Sequence, residues 1–323
     1  MSKSLKITTI VISCLFAVLS IVIIFWHFGE DFSKFYSQST KEFAIPGLST
    51  GFTPQGLCEE DDKFYVSGYM SNGSASRIYV VDEAAHENDK HFTLTYKGQD
   101  YVEHAGGIAT DGQFMWIVGD KHVNKIEFSD VESVENGGKI EIVERVESAN
   151  GADFVTIENG NLWIGEFHKD GKYDTDEPHH IQTSDGKTNK AVSFCYDLAT
   201  VNANGFTAAT PIKALSTGSL VQGMLVEGNK IVTSASYSLA KSILCTCENI
   251  LTEDAAQEFD FNGTNIPLYV LEDKYIEKTI LAPCMSEEIE FANGKVYVLF
   301  ESACIKYGLI TRESLRNVYS FKI

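Results

Sequence analysis

Positive charge is what this chain is short of. Its 323 residues carry 26 Lys and Arg against 45 Asp and Glu. All the acids follow the first apolar stretch, which only Lys3 and Lys6 precede, so the remainder has 24 basic side chains and a balance of −21. Such a surface repels phosphate backbones and anionic lipid, which excludes nucleic acid as a partner. It suits solubility, cationic ligands or bound metal ions. Signatures of common enzymes are scarce too. There is no G-x-x-x-x-G-K phosphate loop, no H-E-x-x-H zinc helix and no D-x-D-x-D-G calcium loop. The seven cysteines include no C-x-x-C pair; Cys245 and Cys247, on one face of one strand, read as small buried apolar residues. The chain is not polar enough for disorder. With 44% hydrophobic and 11% aromatic residues it is expected to pack as one large all-β domain or two small ones.

The longest apolar run, ITTIVISCLFAVLSIVIIFWHF (7–28), has no charged residue. At 1.5 Å per residue it would span roughly 33 Å, the thickness of a bilayer core. Lys3 and Lys6 lie before it, Trp26 and His27 at its far end, and Glu30 and Asp31 beyond. These features predict a single-pass anchor with residues 1–6 in the cytosol and the remainder outside the cell. A cleaved signal peptide would need a shorter apolar core and a small-x-small site, which WHFGEDFSKF lacks. Residues 29–41 read as a polar stalk and 42–323 as the folded domain.

Five segments of that domain share a two-strand pattern: PQGLCEEDDKFYVSGY (54–69), AGGIATDGQFMWIVGD (105–120), GADFVTIENGNLWIGEF (151–167), VQGMLVEGNKIVTSAS (221–236) and SEEIEFANGKVYVLFES (286–302). In each, an inner strand with one apolar residue at an equivalent place (Leu57, Ile108, Phe154, Met224, Ile289) precedes a polar turn. A strand rich in branched and aromatic residues follows. Third strands recur at 76–82, 124–130, 190–197, 241–249 and 316–323. Fourth strands are read at 91–97, 139–146, 210–216 and 267–273. The fifth unit ends without one, and KEFAIPG (41–47) is available to supply it. Repeated four-stranded units closed by the two chain ends predict a β-propeller of five blades. Irregular spacing between units leaves a sixth open.

The runs PQGL (54–57), AGGIATDG (105–112) and MSEEIEFANGKVYVLFESAC (285–304) resemble those of secreted or membrane-anchored bacterial β-propeller proteins. They are loosely similar to the gluconolactonase, paraoxonase and strictosidine-synthase group of propellers. That resemblance implies a divalent cation, usually calcium, on the axis, held by Glu, Asn and Asp at inner-strand starts. Glu287, Asn150 and Asp153 occupy such places, with Glu166 beside them. Gln55 and Gln222 depart from the pattern.

In a propeller the loops before the inner strands and after the second strands open on one face. Gln55, His104, Asn150, Gln222 and Glu287 should therefore ring a funnel mouth with Tyr69, Asp120, Glu166, His168, Tyr237 and Glu301. Glu287 and Glu288 are consecutive, so one faces the axis, and Glu287 is assigned to it because Glu288 aligns with Gly56, Gly107 and Gly223. The insertion HKDGKYDTDEPHHIQTSDGKTN (168–189) should overhang the mouth. Cys284 and Cys304 flank the hairpin centred on Asn293 and Gly294, a geometry that suits a disulfide. Asn72 and Asn262 match the glycosylation triplet. Function is read as a membrane-tethered recognition or sensor propeller whose mouth binds a small molecule, glycan or protein. Alternatives are a calcium-dependent lactonase or esterase, with His104 or His168 as base, and a scaffold of an envelope complex. The fold alone hosts binders and hydrolases, so whether the protein is an enzyme stays open.

Overall fold

A computed structural model describes residues 11–18, 20, 31–82, 87–255 and 257–323. Five antiparallel units stand around an axis as a five-bladed β-propeller. Blade one runs Phe52–Glu60, Lys63–Met70, Arg77–Asp82 and Glu87–Tyr96. Blade two is Ile108–Thr110, Phe114–Gly119, His122–Glu127 and Glu144–Glu147. Blade three is Phe154–Glu158, Asn161–Gly165, Ala191–Asp197 and Lys213–Thr217. Blade four is Val221–Glu227, Lys230–Ala235, Ser242–Glu248 and Ile276–Ala282. Blade five is Ser286–Ala292, Lys295–Phe300 and Asn317–Phe321, and Ser39–Ala44 completes it from the other end of the chain. Each inner strand touches the next around the ring, and that of blade five returns to that of blade one.

The hairpins close where the sequence permits positive φ. Asn159-Gly160 and Asn293-Gly294 both take left-handed angles at two successive residues, which turns the chain with the twist of its strands. The second strands are buried almost throughout, so Trp116 and Trp163 fill the gaps between blades. Five apolar clusters result, each joining side chains of two neighbouring blades, such as Leu57 and Phe64 with Tyr297 and Leu299. The core is thus five interfaces rather than one centre.

Several expectations shift. Residues 139–146 are not one strand: Gly138–Glu141 lies parallel on the outer edge of blade one, and Glu144–Glu147 belongs to blade two. Residues 267–273 do not serve blade four. Thr264–Val270 pairs parallel with the outer strand of blade three and carries Gln257–Phe261 beyond it. The region read as a stalk is folded from Ser33: a helix Ser33–Gln38 buries Phe35 against Phe300 and Tyr319, and the closing strand starts at Ser39. Cys284 and Cys304 are both buried, and no disulfide joins them. Most of the apolar run 7–28 lies outside the described residues, of which 11–18 are helical. Among the described residues no helix is long and apolar enough to cross a membrane.

Candidate functional site

The inner strands of blades one, four and five share an irregularity. Between Pro54 and Gly56, between Val221 and Gly223, and between Ser286 and Ile289, one extra residue interrupts the pairing. A bulge turns a side chain out of the alternation. Gln55, Gln222 and Glu287 accordingly line a cavity of about 750 Å³ at the face where the inner strands begin. The chain is strained as it enters two of these strands, because Leu220 (φ 71°) and Met285 (φ 65°) hold angles that bulky side chains seldom adopt.

The bulge also corrects the assignment of the two glutamates. Both are buried, and Glu288 lies on the axis. Its Oε2 accepts hydrogen bonds from Leu57 N (2.9 Å) and Ile108 N (2.8 Å), and its Oε1 from Val155 N (3.2 Å). One side chain of blade five therefore ties the inner strands of blades one, two and three. The glycines opposite Glu288 make room for it. A Cβ on Gly107 would lie 2.6 Å from Glu288 Oε1, and one on Gly56 would lie 2.9 Å from Oε2. Burial pushes the Glu288 carboxyl up to about 8, and the three N–H donors, which favour the charged form, restrain the rise.

Glu287 points into the funnel instead. It is 5% exposed. It hydrogen-bonds Glu301, which also accepts from Gln55 Nε2 at 3.0 Å. Burial first, and then the charge of Glu301, raise Glu287 well above the carboxylate range, while burial raises Glu301 to about 7 despite Lys306 nearby. Two carboxyls in contact hold one proton between them. Asp153 lies across the same floor and accepts from Phe167 N at 2.7 Å. Water reaches it, yet the surrounding protein raises it to about 7.

Aromatic and cationic side chains form the walls. Lys306 donates to Tyr69 Oη at 2.6 Å, and the Tyr69 ring lies 4.2 Å from that of His104. Lys172 donates to Tyr237 Oη at 3.1 Å, and Phe167 packs against Tyr173 and Tyr237. The insertion thus reaches over the mouth as expected. His104 N donates to Asp120 Oδ2 at 2.8 Å, and enclosure lowers the ring's pKa, which favours neutral imidazole.

The structure brings Gln55, Tyr69, His104, Asn150 and Asp153 to this cavity, together with Glu166, Gln222, Tyr237, Glu287 and Glu301. His168 stands apart from the lining. It is buried beneath the insertion, between Thr175 Oγ1 and Asp170 Oδ1, each 3.1 Å away. Glu288, Lys306, Lys172 and Phe167 were missed. The signal for Glu288 was the column of glycines aligned with it, and Lys306 offered none. Gly47-Leu48-Ser49-Thr50-Gly51 also carries the letters of the G-x-S-x-G hydrolase elbow. It forms a short 3-10 turn leading into a strand, whereas an elbow needs a strand leading into a helix.

The residues do not fit an axial calcium ion. Calcium needs six to eight converging oxygens, whereas the axis is lined by N–H donors that the Glu288 carboxyl oxygens already satisfy. Asn150 Oδ1 already accepts from Ser148 Oγ at 2.8 Å, and Glu166 accepts from His179 and Val192 N. The one group of converging ligand atoms among the described residues is His168, Asp170 and Asp174, where Lys190 already pairs with Asp170.

The raised acids predict a pH dependence. Each binds its proton more tightly folded than unfolded, so the stabilisation is complete below about pH 4.5 and is lost as pH rises through 7 to 8. Asp153, which water screens, contributes least. The melting temperature should fall by several degrees between about pH 5 and about pH 8.5, and Glu301→Gln should flatten that slope. A profile that rises with pH, or an unchanged slope in the variant, would remove the carboxyl pair as its source.

No protein-family model matches the sequence, and no curated protein matches it. Among solved structures, Myxococcus xanthus glutaminyl cyclase is 8% identical over 88% of this chain and 97% of that chain, with a TM-score of 0.46. BamB from Moraxella catarrhalis is 8% identical over 84% of this chain and 83% of that chain, with a TM-score of 0.36. At these values the fold assignment rests on the strand pairing.

Proposed function

We propose that the protein is a membrane-tethered recognition propeller whose funnel takes a small organic ligand with a cationic nitrogen. The observation that carries this reading is the buried Glu287–Glu301 pair, with Gln55 beside it, at the floor of the cavity. A carboxyl pair holding a proton at neutral pH is a site where an ammonium group can take that proton's place. Phe167 supplies an aromatic face on the way down, which attracts a cation once water is displaced, whereas Lys306 and Lys172 already lie over the rings of Tyr69 and Tyr237. The tether is the apolar run 7–28, with the propeller outside the cell.

Titration calorimetry with primary amines, diamines and quaternary ammonium ions would test this. Binding should release a proton, seen as heat that varies with the buffer, and should tighten as pH rises through 7. Glu287→Gln should weaken the amine by roughly 10–100-fold, the cost of losing one charge-assisted hydrogen bond. An amine that binds equally well to wild type and variant, or a panel in which nothing binds, would overturn the reading.

A further inference from the structure

The loop joining the second and third strands of blade five, residues 301–316, carries Ile305, Leu309 and Ile310 on its surface. Leu309 is 98% exposed. Single exposed apolar residues are ordinary, but three within six residues at one loop tip, on so acidic a domain, are not. The tip is also held in shape. Gly308 N donates to Cys304 O at 2.7 Å, Thr311 Oγ1 to Ser302 O at 3.0 Å, and Leu315 N to Ser302 Oγ at 3.0 Å. It is a fixed apolar knob flanked by Lys306, Tyr307 and Arg312, the residue types that settle at the headgroup level of a bilayer.

A second observation says what covers it. The Arg312 guanidinium lies 5.6 Å from the centre of the Phe32 ring, and Tyr36 donates a short hydrogen bond to Glu313. The base of the loop therefore packs on the first residues of the folded domain. The apolar run ends at Phe28, four residues before Phe32. Four residues of extended chain reach at most about 14 Å. A bilayer holding residues 7–28 must lie within that distance of the Phe32 backbone, whose ring Arg312 covers.

We infer that the 305–310 loop docks on the surface of the bilayer that anchors the chain. Ile305, Leu309 and Ile310 enter the boundary between headgroups and acyl chains, and Tyr307 and Arg312 stay at headgroup level. The inference rests on the tether in the proposed function and not on the amine site. It adds a direction: Lys306, Tyr307 and Ile310 also line the funnel, so the mouth opens beside the membrane. The acidic domain favours zwitterionic over anionic lipid.

The full chain, reconstituted in phosphatidylcholine vesicles containing a headgroup-proximal spin-labelled lipid, provides the test. Leu309→Trp reports from the tip. Ile212→Trp, an exposed position two blades away, is the control. After subtraction of the wild-type signal, the tryptophan at 309 should be quenched several-fold more than that at 212. Equal quenching in a chain that floats with the vesicles would overturn the docking and leave the tether, handing the loop to a protein partner. A chain that does not float would overturn both.

Discussion

Glu288→Ala should remove about 3–5 kcal/mol of stability, because it leaves the N–H groups of Leu57, Ile108 and Val155 without an acceptor at the centre of the ring. Each buried donor left unsatisfied costs about 1–3 kcal/mol. Water entering the vacated space recovers part of that sum, because the cavity would be polar. The remainder is a large share of the roughly 5–15 kcal/mol that holds a domain folded. Glu288→Gln should fall between wild type and Glu288→Ala. Its oxygen can still accept two bonds, but its amide would oppose the N–H of Val155 as donor against donor. Urea unfolding of the three proteins measures the order. An alanine variant within about 1 kcal/mol of wild type would show that Glu288 does not bind the blades together.

A chain starting at Gly51 should be insoluble, whereas one starting at Asp31 should be a soluble monomer. The first lacks the strand Ser39–Ala44 and with it Phe35, Phe43 and Ile45, all buried. At about 1.5–3 kcal/mol for each such side chain, roughly 6 kcal/mol of apolar burial is lost. The carboxylate of Glu42, which accepts from Lys295 Nζ at 3.0 Å and Ser320 Oγ at 2.5 Å, is lost too. Asn317–Phe321 then becomes an open edge able to pair with another molecule. Size-exclusion chromatography of both truncations decides the matter. Identical behaviour would mean that closure by the N-terminal strand contributes little.

The repeat was legible because each blade repeats its own local chemistry: a small-residue approach to the axis, a turn and a β-prone strand. The closing strand was legible because an unfinished fifth unit leaves an obligation that only the other end of the chain can meet. What the sequence hid was non-local. Gly138–Glu141 and Thr264–Val270 join outer edges in parallel, where pairing depends on which neighbour is near and not on a turn. The ring of mouth residues was recoverable by counting strands. That Glu288 faces inward together with Glu287 was not read, because strict alternation allows only one of two neighbours to face inward and a bulge suspends that rule. Cys284 and Cys304 show the same limit. Proximity in a hairpin diagram does not aim two thiols at each other.

The three interruptions at Gln55, Gln222 and Glu287 leave positions with no residue opposite them. Pro54 still faces Gly68 and Gly56 still faces Ser67 whatever stands between them. Such positions are free to vary in a way their neighbours are not. An amide can be traded for an acid, or an acid for an amide, with every packed pair in the blades unchanged. A lineage of this propeller could therefore change what it recognises one bulge at a time, with the chemistry of the funnel inherited separately from the architecture that supports it.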